Sequence, residues 1–296
     1  MDPASRLDFL KTCQNPDGGW GYFPGRGSWL EPTFYAMLAL DGCPGAKEMV
    51  NRGWKAVRSW QLPTGAWRAG PEAADPHWST ALAVTLHVAR GEFDSSFRAG
   101  VRWLLGTAGV EGGLWLWMAK WFKGHLVEYD PALAGWPWRP GNAAWVEPTA
   151  HTLISLKNAA SHYDSENLSY RVSLGERMLI DRRCRDGGWN YGNRRIYRMD
   201  LPSYDETTAI ALLGLRGCPG VDLQPSVNLA LRQWHAARSP YAKAWLTICL
   251  RNYGVNLGAA SRDETASPSS DVLVAALEAL ACGSGLYQLL GPEHKA

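Results

Sequence analysis

The sequence predicts an all-α fold: an (α/α)6 barrel, in which an outer ring of amphipathic helices surrounds an inner ring of apolar ones. Three observations point there. A Gln-x-x-x-Gly-x-Trp spacing occurs twice, as "QNPDGGW" at 14–20 and "QLPTGAW" at 61–67. Longer stretches built on these words recur about every 50 residues, a period expected of solenoids and closed arrays. The helical segments also alternate in kind, charged and amphipathic before each Gly-rich loop, apolar nearly all round after it.

The units follow in order. The first is "CQNPDGGWGYFPGRGSWLEPTFYAMLALDGCPG", residues 13–45. Its closing GCPG ends a helix, since Gly takes the left-handed position after the last turn and Pro blocks continuation. The second, "VRSWQLPTGAWRAGPEAADPHWSTALAVTL", follows the amphipathic "KEMVNRGWKAVRSW". The third combines "VRWLLGTAGVEGGLWLW" with "WVEPTAHTLISL", separated by a Trp-rich insertion at about 114–145. The fourth, "CRDGGWNYGNRRIYRMDLPSYDETTAIALLGLRGCPG" at 184–220, follows the charged "SLGERMLIDRR". Eroded fifth and sixth units are "LRQWHAARSPYAKAWLTICL" and "SPSSDVLVAALEAL". The six units make 1–296 a single barrel domain. In each loop, Gln is expected to tie one hairpin to the next by hydrogen bonds, and Trp by a large buried area.

Composition narrows the function. Hydrophobic residues make up 46% of the 296, and charged residues 20%, enough for a large core. A net charge of +2 argues against nucleic acid as a partner. No apolar run of about 18 residues predicts a membrane span, and the start "MDPASRLDFLKTC" lacks a signal-peptide core. Six scattered Cys with no CxxC pair read as reduced thiols of a cytoplasmic protein. No phosphate loop, dinucleotide fingerprint or GxSxG occurs, and no cofactor is expected.

The chain resembles the squalene–hopene and oxidosqualene cyclases, with their QW repeats, and the related prenyltransferase β subunits. Gln14/Gly18/Trp20 and Gln61/Gly65/Trp67 carry the intact motif, while Arg183 replaces Gln before Gly187/Trp189. The motif speaks for the fold and is nearly silent on chemistry. The prenyltransferase resemblance implies zinc held by Asp-x-Cys and a His. His151 resembles that His, but no inner helix carries Asp-x-Cys, so no metal is expected.

Aligning the inner helices on their final Leu places Glu31, His77, Glu147, Glu206, Tyr241 and Asp271 nine residues upstream. In a parallel inner ring all six fall at one mouth. Acids there complement the helix N-termini by about 0.3–1 kcal/mol each. Crowded above an apolar barrel they also repel one another and lose hydration, which keeps some protonated, as an alkene-protonating catalyst requires. The resemblance implies more: class II terpene cyclases carry DxDD followed by Thr-Ala, and the middle Asp delivers the proton. "YDETTAIAL" places Glu206 at that position, with Tyr204 and Thr207 replacing the flanking acids and Asp205 about 100° away round the helix.

The expected reaction is therefore protonation-initiated cyclisation of an isoprenoid, with Glu206 the favoured acid and Asp205, Glu147, Glu31 and Asp271 around it. His77, His151, Tyr204 and Tyr241 are expected to contact substrate. The insertion offers Trp115, Trp117, Trp121, Trp136 and Trp138 to line a cavity or stabilise a carbocation. The same Trp cluster equally suits a plugging lid or a surface dipping into a membrane. Arg194 and Arg195 lie in an arginine-rich loop suited to a diphosphate or to solvent. Cyclases of the resembled family use two barrels; one barrel leaves open a partner chain, a non-enzymatic lipid- or protein-binding role, and a prenyltransferase-like subunit. Paired carboxylates with Trp also fit glycan processing.

Overall fold

A computed structural model describes residues 3–110, 129–258, 270–283 and 285–292. Eleven helices appear among them: α1 (Pro3–Thr12), α2 (Leu30–Leu40), α3 (Lys47–Ser59), α4 (Thr80–Arg90), α5 (Ser95–Gly106), α6 (Val146–Ala159), α7 (Glu166–Asp181), α8 (Asp205–Leu215), α9 (Gln224–Ala236), α10 (Pro240–Asn252) and α11 (Val272–Ala281). A small hairpin, β1 (Arg195–Ile196) with β2 (Met199–Asp200), precedes α8. The fold is all-α, as expected.

The inner ring runs α2, α4, α6, α8, α10, α11 and closes as α11 packs back on α2. These helices are buried almost all round; in α2 every residue but Glu31 is buried. The outer helices bury one stripe. In α3 the buried residues are Val50, Gly53, Trp54, Ala56 and Val57, while its charged residues face outward. That stripe fills the groove left by neighbouring inner helices.

One device repeats four times and sets the register of the hairpins. A buried Trp on the loop donates its indole N–H to a carbonyl near the end of the preceding outer helix: Trp20 to Leu10 O at 2.8 Å, Trp67 to Val57 O at 2.9 Å, Trp136 to Leu104 O at 2.8 Å, and Trp189 to Leu179 O at 2.6 Å. Its backbone N–H donates to a Thr hydroxyl in the first turn of the following inner helix: Thr33, Thr80, Thr149 and Thr208. Each Trp thus fills a dry seam and satisfies carbonyls that helix ends leave open.

The two Gln residues act as expected. Gln14 Nε2 donates to Gly18 O and across to Met49 O of α3, at 2.8 and 2.7 Å. Gln61 Nε2 repeats this on Gly65 O and Ser96 O of α5, both at 3.0 Å. Where Gln is missing, the next outer helix supplies a donor. Ser226 of α9 reaches Gly187 O at 2.6 Å, and Arg171 of α7 reaches Ala134 O at 3.0 Å.

The third unit corrects one expectation. Its seam Trp is Trp136, buried with Arg171 stacked over its ring at 4.2 Å, so it does not line a substrate cavity. The chain between α5 and Trp136 is longer than in the other units, yet Trp136 stands 13 residues before Thr149, as Trp20 and Trp67 stand before theirs.

Candidate active site

Glu31, Glu147 and Glu206 are the second residues of α2, α6 and α8, while His77 stands three residues before α4. Three of the six expected mouth residues meet in one cavity. Glu31, His77 and Glu147 line one cavity of about 260 Å³, together with Tyr22, Trp29, Ala69, Trp78, Ser79 and Trp138. Tyr241 lies close enough for Glu147, Glu31 and Glu206 to hold its phenol well above its ordinary range, though burial is the larger cause. Asp271 acts electrostatically on Tyr22 and Glu31.

The carboxyl groups are not equivalent. The Tyr22 hydroxyl donates to Glu31 Oε2. Burial raises the Glu31 pKa, the Tyr22 bond opposes that, and Asp271 adds to it. Glu147 faces the cavity and has no hydrogen-bond or ion-pair partner among the described residues. Its carboxyl is pushed up to about 8, first by burial and then by Glu31 and Glu206. The positive end of α6 opposes this by about 0.3–1 kcal/mol. One pKa unit corresponds to about 1.4 kcal/mol, so desolvation and like charge win. Glu147 is therefore mostly protonated at neutral pH.

Glu206 stands apart from the cavity. Its Oε1 accepts from the Tyr191 hydroxyl at 2.8 Å, at a rim where Tyr191 and Tyr204 are exposed and their rings lie 5.3 Å apart. Asp205 is partly exposed, its carboxyl raised by burial and by Glu206, and it does not line the cavity. Asp271 takes the helix-capping role that the sequence also allowed for these acids. Its Oδ1 accepts from Leu273 N at 2.9 Å and Val274 N at 3.2 Å, which makes it the N-cap of α11.

Below the carboxyl groups the axis is packed with rings. His151 lies one turn beneath Glu147, against Trp78 at 5.1 Å and Trp245 at 5.7 Å. Burial lowers its pKa to about 3, so it is neutral. His77, at the cavity wall, is lowered to about 4 by burial and by Arg139. Among the described residues no three His, Cys, Asp or Glu side chains group to hold a metal ion.

Arg195 is tied into its own hairpin, its Nε 3.4 Å from Asp200 and its Nη2 donating to Arg198 O. Neither Arg194 nor Arg195 lines the cavity. Trp138 does, edge-on to Trp78 at 5.2 Å. Trp115, Trp117 and Trp121 lie outside the described residues.

Sequence reasoning missed Tyr22, Trp29 and Trp78. Tyr22 had a signal: it stands two residues after the seam Trp, as do Ala69, Trp138 and Tyr191. Three of those four line the cavity, and Tyr191 binds the Glu of its own unit. That position is aimed at the mouth because its preceding Trp is locked in the seam.

An aromatic cavity lined by the carboxyl groups of Glu31 and Glu147, in a closed ring of helices, defines an α/α toroid with acids at its mouth. No protein-family model matches the chain. Drimenyl diphosphate synthase of Streptantibioticus cattleyicolor is 37% identical over 68 residues, which span 23% of this chain and 13% of that enzyme. The type II terpene cyclase MstE from Scytonema, solved with merosterolic acid A, aligns with TM-score 0.55 and 19% identity over 95% of this chain and 77% of that one. An alpha-amylase from Clostridium perfringens aligns with TM-score 0.62 and 13% identity, over 95% of this chain and 97% of that one. The endo-beta-1,4-glucanase CMCax from Acetobacter xylinum gives 0.61 and 13%, over 95% and 96%. The toroid is thus shared with terpene cyclases and glycoside hydrolases alike; at these identities the solved structures define the fold and not the chemistry.

Proposed function

We propose that this protein is a terpene cyclase-like enzyme that starts cyclisation of an isoprenoid by protonating it, with Glu147 as the acid. One arrangement carries the reading: the Glu147 carboxyl lines an aromatic cavity with no partner among the described residues, where burial and the neighbouring acids Glu31 and Glu206 push it up to about 8. Glu206, favoured by position in the sequence, gives way because it stands at a solvent-facing rim with its oxygen occupied by Tyr191.

The chemistry follows from the lining. The Glu147 O–H bond breaks as a C–H bond forms at one alkene carbon. The cation left at the other carbon is attacked by the π electrons of the next alkene, closing a ring. The indole rings of Trp29, Trp78 and Trp138, which line the cavity, are the groups to stabilise the passing charge, at about 0.5–2 kcal/mol per face-on contact. Neutral His77 and His151 add no competing positive charge. A volume of about 260 Å³ suits the reacting end of a chain, since whole-ligand pockets run to roughly 300–1,000 Å³. The short match to drimenyl diphosphate synthase supports an isoprenoid substrate. Glycan processing is the second reading, favoured by the near-complete coverage of the amylase and glucanase.

The test incubates the protein with farnesyl diphosphate, geranylgeranyl diphosphate, squalene and β-glucan oligosaccharides, followed by extraction and mass spectrometry. A cyclised product is expected, falling by about 10²–10⁴-fold in Glu147→Gln, the range for a general acid, and far less in Glu206→Gln. Loss confined to Glu206→Gln would return the acid to Glu206. Cleaved oligosaccharide with no terpene product would favour the glycosidase reading. No product from any of them would favour a binding barrel.

A further inference from the structure

Glu31 and Glu147 open onto the same cavity but differ in their partners. Tyr22 occupies Glu31 Oε2, while Oε1 has no donor among the described residues. Glu147 has no donor on either oxygen among the described residues. Two carboxyl groups lining one cavity cannot both ionise cheaply, so one holds its proton more firmly than the other. A hydrogen bond donated to a carboxyl stabilises its ionised form, which places the negative charge on Glu31 and the proton on Glu147. Burial raises both, but the Tyr22 bond offsets the rise only at Glu31.

We infer that Glu31, oriented by Tyr22, is the base that ends the reaction by taking a proton from the final carbocation. The inference rests on the cyclase reading above. In the step, a C–H bond beside the cationic carbon breaks, its electron pair becomes a new C=C bond, and the proton forms an O–H bond on Glu31 Oε1. Glu147 has already given one proton, so substrate and product are isomers and no oxidant or reductant is needed. Solvent then exchanges the proton off Glu31 and onto Glu147. Tyr22 fixes the carboxylate so that one oxygen faces the cavity. This division of labour also gives the loop Tyr a purpose: it sets which of two neighbouring acids gives and which receives.

Two measurements test this. The first is the product spectrum of Glu31→Gln beside wild type, with farnesyl and geranylgeranyl diphosphates as probes. Without its base, the cation is expected to be captured by water or to lose a different proton, so the ratio of the wild-type alkene to alcohol or isomeric alkene falls at least tenfold. Tyr22→Phe, which keeps the ring, is expected to shift the ratio in the same direction by a smaller factor, and it serves if Glu31→Gln does not fold. An unchanged ratio in both variants overturns the base assignment while leaving the cyclase reading intact. No product from wild type sinks the cyclase reading itself, and the base with it. The second measurement is infrared spectroscopy of the protonated-carboxyl band at pH 7, which needs no turnover. The band should vanish in Glu147→Gln and persist in Glu31→Gln; the reverse pattern overturns the inference.

Discussion

Glu147 is an expensive residue to keep. A carboxyl whose pKa is about 8 in the folded protein and about 4.3 in the unfolded chain favours folding below the lower value. Between the two, the folded state binds more protons than the unfolded one, so stability falls as pH rises through that window. Glu147→Gln removes this penalty. The variant is expected to melt higher than wild type at pH 8, with the gap closing toward pH 4; a lower melting temperature at pH 8 would mean that Glu147 is not destabilised by its site. Activity should follow the same group in the other sense. Turnover is expected to fall about tenfold per pH unit above about 8, as the acid loses its proton. A rate independent of pH from 6 to 9 would remove Glu147 from the chemistry.

At the scale of the element, the four seam Trp residues explain why glycines crowd these loops. Gly65 has φ +90, and a Cβ there would lie 2.6 Å from Ala99 O, a backbone atom of the next outer helix. Gly65→Ala is expected to cost about 1–3 kcal/mol in urea unfolding, from strain and from pushing α5 away. The fourth unit gives a sharper test. Ser226 already donates to Gly187 O, so Arg183→Gln, which restores the motif, is expected to change stability little. Ser226→Ala leaves that carbonyl without its donor and is expected to cost about 1–3 kcal/mol. If Arg183→Gln stabilises strongly and Ser226→Ala is neutral, Ser226 is not the substitute donor. The seam geometry was half legible. Gln14, Trp20, Gln61 and Trp67 announced themselves by spacing. Trp136 did not, because its Gln is absent and its donor, Arg171, comes from far along the chain. A Trp standing 13 residues before Thr, common to Trp20, Trp67 and Trp136, was the signal that would have found it. In the fourth unit that separation grows to 19, with the β1–β2 hairpin lying between.

For the whole molecule, closure is what creates the mouth. Four inner helices are pinned to their loops by the Trp–Thr bond, and α11 meets α2 to finish the ring. The two ends of the ring are also joined from outside, where α1 packs on α11 and Arg6 Nε lies 2.7 Å from Glu278 Oε2. Arg6 is buried, and its removal leaves Glu278 without that cation. Arg6→Ala is expected to lower the urea midpoint by an amount worth about 3–5 kcal/mol. A shift of a few tenths would show that the closure does not depend on this pair.

Local sequence was enough for the all-α class, the two kinds of helix and the repeat that alternates them. All of these follow from periodicity and from spacings along the chain, which the backbone converts directly into direction. It was not enough to choose among the acids. Glu206 held the favoured position in its own unit, yet Tyr191, at a wet rim, satisfies it. Glu147 was one acid among several until Glu31 and Trp78, from other units, joined Trp138 of its own unit in lining a cavity around it. Proton affinity depends on what is excluded from a site and on which charges face it across space. Those are properties of the closed ring, and no single stretch of this sequence contains them.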